Sequence, residues 1–212
     1  SAFEETGLRG ATCYEVTDRN GSAGARAGIE ENIAFAQKLD ADYKQAADTG
    51  GSGIESAEAE RRTSSATKGS KGADNISGPS APPLVQSHIG AHAAFTLSPE
   101  TLDALADAVK KTGRGLHIHA AEGKYDVSDS RLNYGKGVIE RLDQHNLLTS
   151  KSIVVHGVHL DEEEIHIINE RDSFMVHNPR SNMNNGIGYN SRLGLRKNLA
   201  LGTDGIGTDM LQ

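Results

Sequence analysis

Short apolar runs alternate with amphipathic segments along most of this chain. The runs predict six β-strands, at residues 8–16, 92–96, 115–120, 152–158, 173–177 and 199–203. Between them, apolar residues recur at helical spacing. Leu102, Leu105 and Val109 share one such face, which Ser98 precedes as a helix N-cap and Gly113 follows as a helix stop. Strands that alternate with helices indicate an α/β fold with a parallel sheet.

Residues 46–83 interrupt this pattern. Ile54 and Ile76 are the only large apolar residues in the segment, and the others are mostly Gly, Ser, Ala, Thr, Pro and charged residues. Such a composition buries too little apolar surface to offset the entropy lost on ordering the backbone. We therefore expect a flexible, low-complexity insertion between residues 1–45 and residues 84–212.

The length of the chain leaves two architectures open. A complete (β/α)8 barrel takes about 250 residues, or roughly 30 for each unit. The residues outside the insertion suffice for about six units on that scale. The sequence therefore predicts either an open, doubly wound sheet or an incomplete barrel.

Charge and composition exclude several classes of partner. The formal net charge is −7, and no block of Lys and Arg offers a surface for nucleic acid or anionic lipid. No apolar run approaches the roughly 18 to 20 residues of a membrane span. Cys13 is the only cysteine, so no internal disulfide can form. We expect a cytoplasmic protein in which Cys13 is a buried thiol.

Candidate catalytic residues follow the predicted strands. His119, His156 and His177 each end a strand, and Asp204 follows the last one. In parallel β/α folds these strand ends meet on the face where active sites form. Imidazole and carboxylate groups are ligands of catalytic zinc and iron. Glu122, three residues after His119, is placed to move a proton from metal-bound water.

Four motifs resemble a known superfamily. In chain order they are LHIHAAE (116–122), VHGVHL (155–160), VHNPRSNM (176–183) and LALGTDG (199–205). They are similar to strands five to eight of the amidohydrolase superfamily, in its mononuclear deaminase and chlorohydrolase-like branch with the SsnA-like aminohydrolases. Residues 7–21 and 90–97 resemble strands three and four of that branch. The resemblance implies a metal-dependent hydrolase-type TIM (β/α)8 barrel that is incomplete here, with about strand 3 in residues 1–45 and about strands 4–8 in residues 84–212.

The resemblance also implies roles for individual residues. His119 and Asp204 would be metal ligands, and Asp204 would help to deprotonate the water. Glu122 would shuttle the proton, and His156 would bind the hydroxide or the leaving group without ligating the metal. The substrate-binding residues would be His177, Asn178, Ser181 and Asn182. For His177 and Asn182, hydrogen bonding that only holds the loop is an equal alternative.

One departure from the family concerns the metal. The family has an H-x-H pair on strand one that supplies two ligands, and no H-x-H precedes His117 in this sequence. The expected cofactor is one divalent ion, zinc or alternatively iron, at a site that this chain completes only in part. A second reading makes His117 and His119 the H-x-H pair of a differently ordered enzyme, but too little chain follows them.

The function implied is a metal-dependent amidohydrolase. It would remove an amino group, or alternatively a halogen, from a nitrogen heterocycle by means of metal-activated water. The expected partner is a small heterocyclic substrate, without nucleic acid or membrane, and association into a homo-oligomer stays open. The alternative is a catalytically inactive barrel fragment, a scaffold or interaction subunit that lacks the strand-one ligands.

Overall fold

The computed structural model describes residues 5–48 and 84–205 as a parallel α/β structure. The strands are β1 (Gly10–Thr12), β2 (Val85–Ser87), β3 (Ile89–Ala93), β4 (Leu116–Ala120), β5 (Ile153–His156), β6 (Phe174–His177) and β7 (Leu199–Leu201). The α-helices are α1 (Gly21–Asp48), α2 (Pro99–Thr112), α3 (Lys124–Tyr134), α4 (Val138–Gln144), α5 (Glu162–Glu170) and α6 (Pro179–Asn184). Short 3-10 helices cover Asp18–Asn20, Ala94–Thr96 and Leu193–Leu195.

The order of the strands in space follows their order in the chain. Strands β3, β4, β5, β6 and β7 form one parallel sheet in that order, and β1 pairs with β2 in parallel. Beyond β1, the N–H of Val16 donates to the carbonyl of Gly90 (3.2 Å), and the N–H of His92 donates to the carbonyl of Val16 (2.9 Å). A doubly wound sheet reverses its strand order at a switch point. This sheet does not reverse, so it is part of a barrel wall, and the doubly wound alternative is wrong.

The two faces of the sheet differ in chemistry. In β4, Leu116, Ile118 and Ala120 are fully buried, whereas His117 and His119 on the other face are half-buried. The buried face packs in the apolar core with helix residues such as Leu105 of α2. His117 and His119 share a face, because side chains alternate along a strand.

Helix α2 begins and ends where its sequence predicts. The Ser98 hydroxyl accepts a hydrogen bond from the N–H of Thr101 (3.2 Å), and Gly113 adopts a left-handed conformation with φ of 65°. The N–H of Gly113 donates to the carbonyl of Val109. Both caps satisfy backbone groups that a helix leaves unpaired at its ends. None of the described helices is long and apolar enough to cross a membrane.

Several boundaries differ from the prediction. The strand expected at 92–96 lies at Ile89–Ala93, and Ala94–Thr96 turns into a 3-10 helix in which the Thr96 hydroxyl donates to the carbonyl of Ala93 (2.8 Å). Helix α1 continues through residues 46–48, which were expected to belong to the insertion. Residues 49–83 of that segment lie outside the described residues. Cys13 is half-buried rather than buried, and burial raises its pKa.

Candidate active site

Three of the sequence-predicted residues meet at the carboxyl ends of the strands. Glu122 lies between β4 and α3, His156 ends β5, and Asp204 follows β7. One nitrogen or oxygen atom of each lies within 4.8 Å of the others. The ring of His119 at the end of β4 is 5.5 Å from the ring of His156, centroid to centroid. Of the four strand-end residues expected to meet, His119, His156 and Asp204 lie together with Glu122, whereas His177 is not among the described residues that line the cavity beside them.

A backbone carbonyl orients His119. Its Nδ1 lies 2.7 Å from the carbonyl oxygen of His92, and that oxygen can only accept a hydrogen bond. Nδ1 therefore carries a proton, and in the neutral ring Nε2 keeps its lone pair. A carbonyl that fixes the tautomer in this way is typical of histidines that ligate metals. Glu15 Oε1, at 3.6 Å from the same Nδ1, adds a negative charge on that side.

His156 is oriented by an amide. Its Nδ1 lies 2.8 Å from Oδ1 of Asn182, and both side chains are buried. The amide oxygen accepts, so Nε2 again holds the lone pair in the neutral ring. Nε2 lies 3.8 Å from Glu122 Oε2 and 3.9 Å from Asp204 Oδ2. This nitrogen can accept a hydrogen bond from a water or a leaving group beside the two carboxylates.

Asp204 is held as a carboxylate. The Ser181 hydroxyl donates to its Oδ2 (2.6 Å), and the N–H of Gly205 donates to its Oδ1 (2.6 Å). The hydrogen bond from Ser181 is the main cause that lowers the pKa of Asp204, against a smaller rise caused by burial. The N–H of Gly205, His156 and His119 lower it further. Asp204 is therefore negatively charged near neutral pH, as a metal ligand must be.

Left-handed backbone is concentrated at this site. Ala121, His156 and Asp204 have φ angles of 49°, 69° and 58°, a region that residues other than glycine seldom adopt. Each lies at or next to a residue of the cluster. Such conformations persist where the surrounding structure imposes them, and they are common at functional sites.

A cavity of about 520 Å³ opens onto the cluster. Besides the four predicted residues, its lining includes Arg19, His92, Phe95, Tyr125 and Asp126. Sequence reasoning missed these five residues. His92 lies near the end of β3, but the predicted strand at 92–96 placed it at the strand's start, and this displaced boundary hid its position. The other four are brought to the cavity by turns and by α3, which the apolar pattern did not predict.

The predicted substrate-binding residues lie behind the cluster. Ser181 and Asn182 are buried and bond Asp204 and His156, while His177 and Asn178 are buried at the end of β6. None of the four is among the described residues that line the cavity. In this structure Ser181 orients Asp204, and Asn182 orients His156. A contact of these residues with substrate stays a prediction.

His177 and His117 have surroundings unlike those of His119. Both ring nitrogens of His177 are buried without a hydrogen-bond partner among the described residues, and burial lowers its pKa. The ring of His117 lies 6.0 Å from that of His88, and burial lowers the pKa of His117 to about 4. The potential metal group in the described part of the chain consists of Glu122, His156 and Asp204, so His117, His177 and also His119 lie outside it. The structure therefore gives no support to His117 and His119 as a metal-binding pair.

The donor set suits a divalent metal ion. It combines an imidazole with a free Nε2, a carboxylate of lowered pKa, and a second carboxylate that is 37% exposed on the cavity side. Nitrogen and oxygen donors of this kind bind zinc and iron. The residues present therefore fit a divalent metal ion. In the described part of the chain, the donor atoms that lie within 4.8 Å of one another belong to Glu122, His156 and Asp204, and this group leaves out His119. His119 and Asp204 as the ligand pair stay a prediction.

Comparison with known proteins agrees with the motifs. The family model described as "Amidohydrolase family" matches residues 1–211. A 5-methylthioadenosine/S-adenosylhomocysteine deaminase of Thermococcus sibiricus is 41% identical over 126 residues, which are 58% of this chain and 30% of that protein. A 5-methylthioadenosine/S-adenosylhomocysteine deaminase 2 of Archaeoglobus fulgidus is 29% identical over 207 residues, 96% of this chain and 41% of that protein. The chain thus spans about a third to two fifths of these relatives.

Solved structures show the same fold. A zinc-bound adenosine deaminase of Xanthomonas campestris aligns with a TM-score of 0.66 and 23% identity, over 96% of this chain and 38% of that one. A guanine deaminase of C. acetobutylicum with bound guanine aligns with a TM-score of 0.54 and 26% identity, over 59% of this chain and 31% of that one. The incomplete-barrel prediction is therefore confirmed.

Proposed function

The chain belongs to the amidohydrolase family, and from this premise we propose that the protein is a metal-dependent aminohydrolase acting on a nitrogen heterocycle. The observation that carries the proposal is the convergence of His119, Glu122, His156 and Asp204 on one cavity. A wall of core strands fixes the rim from which these side chains project. Their chemistry suits the replacement of an exocyclic amino group by a hydroxyl group.

His119 and Asp204 would hold the metal, which we propose to be zinc, with iron as the alternative. A zinc ion bound in such a site supplies hydroxide at neutral pH by lowering the pKa of its water to about 7. The carbonyl of His92 and the hydroxyl of Ser181 keep the two ligands in place and in the right protonation states. Such outer hydrogen bonds strengthen metal binding.

Glu122 and His156 would move and bind protons. The Glu122 carboxylate faces the cavity next to His156, so it can accept a proton from water and deliver it to the heterocycle or to the departing amine. His156 accepts a hydrogen bond at Nε2 because Nδ1 is engaged with Asn182. That bond would orient the attacking or leaving group.

The substrate class that we propose is a 6-aminopurine nucleoside. Two deaminases among the relatives bear the names of such nucleosides, and the cavity of about 520 Å³ is in the range of small-molecule sites, which is roughly 300 to 1,000 Å³. Phe95 and Tyr125, whose rings meet edge to face at 5.4 Å, give the cavity an aromatic wall for a planar base. Guanine and halogenated triazines are the alternatives.

The test is hydrolysis by the complete zinc-loaded protein. We expect ammonia release from adenosine and its 5′-thioether derivatives, and slower or no release from guanine or a chlorotriazine. His119→Ala should abolish both zinc binding and turnover. His117→Ala changes the same face of the same strand away from the cluster, and it should retain both. Absence of turnover with every substrate, despite bound zinc, would support the inactive-scaffold alternative instead. Cytoplasmic localisation and association into a homo-oligomer stay predictions.

A further inference from the structure

Asp126 is a buried carboxylate at the cavity that the proposed chemistry does not use. It lies in the first turn of α3, is 4% exposed, and lines the cavity together with Glu122. Burying a carboxylate costs free energy unless hydrogen bonds compensate. The partners of this side chain therefore indicate what it does.

One partner is the residue that precedes Glu122. Oδ2 of Asp126 accepts a hydrogen bond of 2.6 Å from the N–H of Ala121, whose left-handed backbone turns the chain out of β4. The carbonyl of Ala121 accepts in turn from the N–H of His159 (3.0 Å). Both polar groups of this strained residue are thus held, one from α3 and one from the loop after β5.

The other oxygen, Oδ1, is buried without a hydrogen-bond partner among the described residues. Burial raises the pKa of Asp126 to about 6, while the N–H groups of Ala121 and Phe95 lower it. The negative charges of Asp129 and Glu164 raise it further. The hydrogen bond that Asp126 makes with a described residue is therefore the one to the turn after β4.

A buried cation holds the neighbouring turn, after β3. Arg141 is 2% exposed, and it donates to the carbonyl of Ala94 (2.8 Å) and to that of Leu97 (2.6 Å). Among the described residues no salt bridge joins Arg141 to Asp126. Each buried charge binds backbone at the rim of the sheet instead, which indicates that both serve to fix the turns there.

Glu122 depends on this support because its own side chain has few contacts. It is 37% exposed, and the group it approaches is Nε2 of His156 at 3.8 Å. Its direction is therefore set by the backbone that carries it. We propose that Asp126 is a positioning residue, which holds Ala121 in its left-handed conformation and so aims the Glu122 carboxylate at His156 and Asp204. This inference rests on the proposed function of Glu122.

Two substitutions of similar volume separate the hydrogen bond from the packing. Asp126→Asn keeps an oxygen that accepts from the N–H of Ala121, whereas Asp126→Leu removes every acceptor. In the complete zinc-loaded enzyme we expect Asp126→Leu to lower kcat by about tenfold to a hundredfold with KM nearly unchanged, the scale of a misplaced catalytic group. Asp126→Asn should stay within about threefold of the wild type, because the bond is retained.

The matched control and two further measurements exclude a general loss of structure. Asp129→Leu removes a carboxylate one turn further along α3, bonded to Asn133, and should leave kcat and KM unchanged. Zinc content should stay near one equivalent in every variant. Hydrogen exchange of the Ala121 amide should accelerate in Asp126→Leu and not in Asp126→Asn.

A double-mutant cycle with Glu122→Gln decides whether Asp126 acts through Glu122. In that background Asp126→Leu should cost less than about twofold in kcat, because the group it positions is already disabled. An equal loss in both backgrounds, full activity of Asp126→Leu, or loss of zinc in that variant would each overturn the inference. If Asp126→Leu does not fold, Asp126→Ala replaces it with the same expectations. Full activity of Glu122→Gln alone would overturn the proposed function, and the role of Asp126 with it.

Discussion

In His119 and His156, the atom that faces Nδ1 determines which ring nitrogen carries the proton. For His119 this atom is a backbone carbonyl, which can only accept, so the tautomer is fixed by the fold itself. For His156 it is the side-chain oxygen of Asn182, whose amide could also present its NH2 group. A reversed amide would turn Nε2 into a donor. The buried Asn182 thus determines whether His156 accepts or donates in the cavity.

Substitution of Glu122 should lower turnover without lowering metal binding. Glu122→Gln preserves the shape of the side chain but removes its ability to accept a proton. We expect turnover to fall by at least about a hundredfold, the low end for lost general acid–base catalysis. Zinc content should stay near that of the wild type, because His119 and Asp204 are intact. Glu163→Gln, on the exposed side of α5, is the matched control and should change neither quantity.

The raised pKa of Asp126 predicts a pH dependence of stability. Its ordinary value is 3.8, and burial raises it to about 6 in the folded protein. Between about pH 4 and about pH 6 the folded state therefore binds more protons than the unfolded state. The free energy of unfolding consequently falls as the pH rises through this range. Above about pH 6 the destabilisation by Asp126 is complete. Urea unfolding of the wild type and of Asp126→Asn at a series of pH values measures the difference. We expect the variant to gain relative stability up to about pH 6 and to remain level above it. Parallel curves would contradict the assignment.

At the scale of elements, the sequence predicts helices and strands best where caps and side-chain alternation agree with the packing of the element. The caps of α2 and the alternation of β4 were readable because each depends on residues near one another in the chain. Strand β3 was displaced by a few residues, since its end is set by contacts with Thr96 and with the distant Arg141. Helix α3 has few apolar residues and was missed, and with it Asp126. His119, Glu122, His156 and Asp204 could be singled out from the sequence because they lie at or just after strand ends, whereas several cavity-wall residues come from turns.

Two backbone segments lie so close together at Gly115 that one added methyl group should lower stability strongly. Gly115 precedes β4, and a Cβ there would overlap the carbonyl of Lys151 in the loop before β5. The neighbour is backbone and cannot rotate away. We expect Gly115→Ala to lower the free energy of unfolding by at least about 2 kcal/mol, as overpacking does. Gly194→Ala, where a Cβ meets nothing within 4 Å, serves as the control in the same urea experiment and should change stability little. Equal stability of the two variants would show that the loop gives way.

At the scale of the whole molecule, the described residues form a barrel wall whose edges are open. Among the described strands, β7 pairs with β6 alone. It is exposed along its length, with Leu199 40% and Leu201 67% exposed. In the described structure the other edge is β1, which is mostly exposed too. Open edges offer unpaired backbone groups to other chains. The arrangement therefore accommodates further strands on either side, or a second copy of the chain.

The openness of the wall predicts weak metal binding by the 212-residue chain on its own. His119, Glu122 and Asp204 have side chains that are 34%, 37% and 31% exposed, so water and chelators compete for the ion. His119 and Asp204 are the two ligands that we propose, whereas catalytic zinc sites usually have three from the protein. After dialysis we expect well below one equivalent of zinc or iron by elemental analysis, and a polypeptide that supplies the H-x-H pair should raise this to about one equivalent. His119→Ala should abolish that gain. Tight, stoichiometric zinc in the 212-residue chain alone would contradict the prediction and indicate that His156 or another histidine of this chain completes the site.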